Sequence, residues 1–124
     1  MEKNLAVKTD WDSYYRRPYK TATVTRKYTT NCLINMIREY GLVDQSSIHI
    51  AELGGANSCF YTAIKQALPV KKYSIFDSNK TGLEKFKERL PGEANVALHC
   101  ADVLHGDTLG TDDLADVVFS VGLI

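Results

Sequence analysis

The sequence predicts an α/β domain built on a parallel sheet, and three observations carry that prediction. Apolar runs of strand length recur between segments whose apolar residues step at helical spacing. The helical segments stop at glycine or proline, and the runs end in acids or glycines. From residue 47 onward the order is strand, helix, strand, helix, strand, strand, which is the alternation of a parallel α/β sheet.

The elements follow in chain order. The opening stretch is polar and aromatic, with "WDSYYRRPYK" broken by Pro18, and a short helix near residues 10–17 capped by Asp10 is expected. From Thr23 to Tyr40 the set Tyr28, Cys32, Leu33, Met36, Ile37 and Tyr40 predicts one inward helical face, stopped by Gly41. "SIHIAEL" (47–53) is the first strand, and "NSCFYTAIKQAL" (57–68) the helix after it, with Phe60, Tyr61, Ile64, Ala67 and Leu68 on one side. "KKYSIFD" (71–77) is the second strand, followed by a helix over 79–90 with Leu83, Phe86 and Leu90 inward. "NVALHCAD" (95–102) is the third strand, and "DVVFSVGLI" (116–124) the fourth, across a connection at 105–113.

The bulk properties narrow the function classes. A chain of 124 residues holds one small domain with a real core. Net charge is zero, so no polyanion such as nucleic acid is expected as a partner. Residues 1–40 hold eight Lys/Arg against four Asp/Glu, and residues 41–124 seven against eleven, giving +4 and −4. That split reads as a basic helical arm on an acidic body, or as a basic arm that meets an anionic substrate. Cys32, Cys59 and Cys100 are odd in number and widely spaced, which predicts buried free thiols, no metal site and a reducing compartment, the cytoplasm. No window has the length or hydropathy of a membrane span.

Ligands of such sheets bind beyond the carboxyl ends of the strands. Three strands end there in an acid: Glu52, Asp77 and Asp102. A carboxylate beside an apolar core must find donors. Three in register around a glycine pair suggest a ligand rich in hydroxyl and amino groups, such as a nucleoside. Gly54 and Gly55 allow a sharp turn and close approach, and Asn57 and Ser58 open the next helix. Asp77 lies 23 residues past Gly54, near the offset of about 20 at which an acid grips ribose hydroxyls. The plainer readings stand beside these: Glu52 and Asp77 as capping acids, Asp102 as a turn acid, and Gly54-Gly55 as an ordinary strand-to-helix turn. His49 and His99 fall within strands and read as packed or surface residues, and His105 lies in a loop.

With "ELGGANS", "IFDSN", "LHCADVL" and "ADVVFSVGLI" in this order and spacing, residues 48–124 resemble a class I S-adenosylmethionine-dependent methyltransferase. The resemblance implies a Rossmann-like sheet in the order 3-2-1-4, the first half of that family's seven-stranded fold, preceded by N-terminal helices. It divides the chain into a helical arm or lid (1–46) and a partial cofactor domain (47–124), truncated at its C-terminus. It implies S-adenosyl-L-methionine as cofactor. Glu52, Gly54, Gly55, Ala56 and Asn57 would line the methionine part. Asp77, with Ser78 beside it, would bind the ribose, and Asp102 with the Val103 N–H would read adenine. Ser120 and Gly122 would border the reactive methyl, and Tyr14, Tyr15 or Tyr19 would close over the cofactor. The acceptor, expected to be a small molecule, and any general base are not identified.

The chain departs from the family pattern where Ala56 and Ser58 replace the second and third glycines, and where four strands stand for seven. An apolar fourth strand left as an edge invites pairing with another chain, a homo-oligomer included. Two other classes therefore remain open: a non-catalytic fold that pairs through that edge, and a nicotinamide or flavin oxidoreductase. The latter would need glycines at 54, 56 and 59, where the chain has Gly, Ala and Cys.

Overall fold

The computed structural model describes residues 23–41, 46–102 and 115–121. Helix α1 spans Thr23–Met36 and continues as a π-helical turn, Ile37–Gly41. Strand β1 is Ile48–Leu53, helix α2 Tyr61–Ala67, β2 Val70–Asp77, α3 Lys80–Arg89, β3 Val96–Cys100 and β4 Val117–Phe119. The four strands form one sheet, all parallel, in the order β3-β2-β1-β4. The 3-2-1-4 order expected from the sequence is the order observed.

Strand β1 explains why its sequence is apolar on both sides. It pairs with β2 and β4, and every residue from Ile48 to Glu52 is buried. Such a central parallel strand has no solvent face. Ile48, Ile50, Tyr73 and Ile75 meet Phe60, Tyr61, Ile64, Leu83 and Phe86 from the helices. Ile48, Ile50, Ile64 and Ile75 have no exposed surface, and burying each contributes roughly 1.5–3 kcal/mol. The Tyr61 ring stands edge-on to Tyr73 at 5.0 Å and to Phe86 at 5.4 Å, which ties α2 to β2 and α3. Asn79 caps α3, its Oδ1 accepting the Gly82 N–H at 2.7 Å.

Three sequence expectations need correction. Leu33 and Ile37 of α1 do face the core, joined by Thr30 and Ile34, but Tyr28, Met36 and Tyr40 are 72%, 55% and 74% exposed. Residues spaced by four drift round a helix of 3.6 residues per turn, so the predicted set mixed two faces. Helix α2 begins at Tyr61, not at 57, because Ala56 takes φ 40° and the Ser58 hydroxyl accepts the Phe60 and Tyr61 N–H groups. The cysteines are free, yet Cys32 and Cys100 are exposed and only Cys59 is half-buried.

The expected helix at 10–17, Tyr14, Tyr15, Tyr19, Val103, His105, the connection at 105–113 and Gly122 lie outside the described residues. Among the described residues no helix is long and apolar enough to cross a membrane.

Candidate functional site

The parallel pairing brings the strand ends into one row. The Gly54 N–H donates to Phe76 O at 2.7 Å, and the Ala101 N–H donates to Asp77 O at 2.9 Å. Glu52 is in register with Phe119, so Ser120 leaves β4 beside the end of β1. Gly54, Asp77, Asp102 and Ser120 therefore all stand at the carboxyl edge of the sheet. Asp102, Ser78 and Ser120 are exposed there, and Asn57 is half-buried.

The loop after β1 makes its turn with two left-handed residues. Gly54 has φ 75°, which costs glycine nothing, and Ala56 has φ 40°, which does cost an alanine. Ala56 is fully buried, so its methyl faces protein.

Glu52 lies behind this loop. Its side chain is buried, and its Oε1 accepts from the Ser58 hydroxyl at 2.6 Å and from the Tyr73 hydroxyl at 2.5 Å. Burial raises its carboxyl above the ordinary carboxylate range, the Ser58 and Tyr73 donors oppose that rise, and the nearby Asp77 adds to it. Glu52 thus joins the start of the loop to its end at Ser58. Burial and the Glu52 charge together push the Tyr73 hydroxyl far up, which keeps it a donor.

Asp77 sits on the open side. Its Oδ1 accepts the Asn79 N–H at 2.8 Å. Desolvation raises its carboxyl, and the backbone N–H groups of Asn79, Ser78 and Ala56 oppose that rise. The Gly54 N–H, bonded to Phe76 O, sets the glycine loop beside this strand end. Capping of α3 belongs to Asn79, and Asp77 braces the turn that leads into it.

Arg89, at the end of α3, braces the loop from outside. Its Nη2 donates to Ser58 O at 2.6 Å and its Nε to Asn57 Oδ1 at 3.0 Å. Sequence reasoning missed Arg89 and Tyr73. No sequence spacing announces Arg89, but a tyrosine in a buried strand must find a partner for its hydroxyl, and Tyr73 was legible on that ground. The histidines stand apart from this row: His49 Nε2 lies 2.8 Å from Ser74 Oγ in the sheet interior, and the His99 ring stacks on Phe76 at 4.4 Å.

No family model and no curated protein matches the sequence. Solved structures do match the fold. The chain superposes on CalS10, an amino pentose methyltransferase from Micromonospora echinaspora bound to S-adenosylmethionine, with TM-score 0.61 and 18% identity. That match covers 98% of this chain and 44% of the other. The N-methyltransferase NodS from Bradyrhizobium japonicum, in complex with S-adenosylhomocysteine, matches with TM-score 0.51 and 15% identity over 71% of this chain and 42% of that one. Coclaurine N-methyltransferase, bound to N-methylheliamine and S-adenosylhomocysteine, matches with TM-score 0.54 and 15% identity, covering 82% and 30%.

The chain has the class I methyltransferase fold. It spans half or less of the length of these three methyltransferases. Within the methyltransferase fold, the strands present are the central β1, the β2 and β3 that follow it on one side, and β4 on the other. The glycine loop and the three acids all belong to this part.

Proposed function

We propose that the chain binds S-adenosyl-L-methionine at the carboxyl edge of its sheet and supplies the cofactor-binding part of a methyltransferase. The observation that carries this reading is the row at the carboxyl edge, where the Gly54 N–H donates to Phe76 O and the Ala101 N–H to Asp77 O, so that the glycine turn stands beside Asp77 and Asp77 beside Asp102. It sets a left-handed glycine turn beside an acceptor-only group, and one nucleoside ligand could touch both. The residues present fit the cofactor. The loop at Gly54 to Ala56 offers backbone groups to an amino acid moiety, and Asp77 and Asp102 offer acceptors to hydroxyl and amino groups.

The roles are those that the family resemblance implies. Gly54, Gly55, Ala56 and Asn57 line the methionine part, with Glu52 shaping that wall from behind. Asp77 accepts the ribose hydroxyls, with Ser78 beside it. Asp102, with the Val103 N–H, reads the adenine edge. Ser120 and Gly122 border the methyl, and residues 1–46 act as arm and lid over the domain of residues 47–124. The bound cofactor supplies a methyl group already activated by its sulfonium. The protein's task is then to hold the acceptor in line and to exclude water. The acceptor is a small molecule, and the compartment is the cytoplasm, where three free cysteines stay reduced.

Calorimetric titration with S-adenosylmethionine, S-adenosylhomocysteine and NAD tests the reading. Binding of the first two without NAD is expected. Tighter binding of NAD would overturn it in favour of an oxidoreductase.

One observation favours a second reading. Val118 of β4 is 57% exposed, and among the described residues β4 pairs only with β1. Such an edge suits a further strand, from a second copy or another chain. Dimers in sedimentation that persist without cofactor would support it, and a monomer at all concentrations would count against it.

A further inference from the structure

We infer that Tyr73 is a positioning residue for the glycine loop, acting through Glu52 and Ser58. The inference rests on the cofactor reading of that loop. Tyr73 is 1% exposed, in the middle of β2, so it touches no ligand. Its hydroxyl donates to Glu52 Oε1, and the same oxygen accepts the Ser58 hydroxyl. The Ser58 oxygen in turn accepts the N–H groups of Phe60 and Tyr61 at 3.2 Å each. One continuous chain of bonds therefore runs from β2, through the residue that enters the loop, to the residue that leaves it and leads into α2.

Ser58 occupies the place of the third motif glycine. A glycine there has no hydroxyl and could not close this circuit. The serine that departs from the family pattern is, in the fold, the residue that pins the loop. Glu52, Ser58 and Tyr73 are all buried, so water cannot replace any of these bonds. Tyr73 also fixes which way the carboxylate points. Without its hydroxyl, Glu52 keeps one side-chain donor, Ser58, and the loop's exit is free to shift with it. Gly54 to Asn57, held between Glu52 and Ser58, would then lose the geometry in which they meet the cofactor.

The test uses Tyr73→Phe, which keeps the ring packed on Tyr61 and removes only the hydroxyl. Affinity for S-adenosylhomocysteine is read by calorimetry, and amide hydrogen exchange by mass spectrometry. The variant is expected to bind about tenfold more weakly, the scale of one lost bond to a charged group. Exchange should quicken at residues 54–61 and stay unchanged in α3. Ser58→Ala should give the same pattern, and the double variant should lose little more than either alone, since both act on one carboxylate. Should Tyr73→Phe fail to fold, Ser58→Ala carries the test alone. Unchanged affinity in a variant of a wild-type chain that binds would overturn the inference, as would faster exchange spread evenly over loop and α3. Absence of wild-type binding would overturn the cofactor reading first, and this inference with it.

Discussion

A Cβ added at Gly55 would stand 2.5 Å from Glu52 Oε2 and 3.0 Å from its Cγ. The second glycine of the pair is the one that makes room for the buried acid. A flexible carboxylate could step aside, but this one is held by Ser58 and Tyr73. Gly55→Ala is therefore expected to destabilise the fold by roughly 1–3 kcal/mol, the usual range for overpacking, in chemical denaturation. It should also weaken S-adenosylhomocysteine binding. An alanine variant as stable as wild type would show that Glu52 is free to move.

Ala56 behaves in the opposite way. Its φ of 40° strains any residue with a Cβ, and its methyl is fully buried. Ala56→Gly relieves the strain but loses the methyl contact and adds unfolded-state freedom, so its stability should lie within about 1 kcal/mol of wild type. Ala56→Val should cost more, on the order of 3 kcal/mol, by adding a branched side chain to a left-handed, closed site. Denaturation of the pair tests this.

The sequence made the sheet legible and one helix face illegible, for definite reasons. Strands β1 and β2 are marked by apolar runs that end at Glu52 and Asp77, and the 3-2-1-4 order followed from the family pattern of those ends. The inward face of α1 was blurred because Tyr28, Met36 and Tyr40 are apolar yet exposed, and hydrophobicity alone cannot tell a large exposed residue from a core one. At the site, Glu52, Gly54, Asp77 and Asp102 were visible as types at spacings. That Glu52 turns inward to Tyr73 depends on a contact across 21 positions, which a single sequence does not display.

Glu52 also sets a pH dependence. Its folded carboxyl is raised above the ordinary value of 4.5 by burial. A raised value means the folded state holds the proton more tightly than the unfolded state. That stabilisation is complete below the unfolded value and is lost as pH rises through the folded one. Glu52→Gln removes this titration while keeping an oxygen to accept from Ser58 and Tyr73. Wild-type stability is expected to decline relative to the glutamine variant as pH rises from about 4.5 towards neutrality, measured by urea denaturation at stepped pH. A constant difference across that range would mean the carboxyl is not raised.

Asp77 separates binding from folding. Asp77→Asn keeps an oxygen that can accept the Asn79 N–H but removes the charge. Its affinity for S-adenosylhomocysteine should fall by at least about tenfold, as charge-assisted bonds to the ribose become neutral ones. Desolvation already opposes the ionised carboxyl, so thermal stability should hold or rise slightly. Equal affinity in calorimetry would reduce Asp77 to a turn residue.

The most direct test of the central claim is to follow the backbone amides of the isotope-labelled chain by NMR while S-adenosylhomocysteine is added. With the cofactor bound at this edge, saturable shifts concentrate at Gly54 to Ser58, at Asp77 and Ser78, and at Asp102, with α1 little changed at Leu33 to Ile37. Shifts confined to the β4 edge around Val118, or no shifts at any concentration, would contradict that claim.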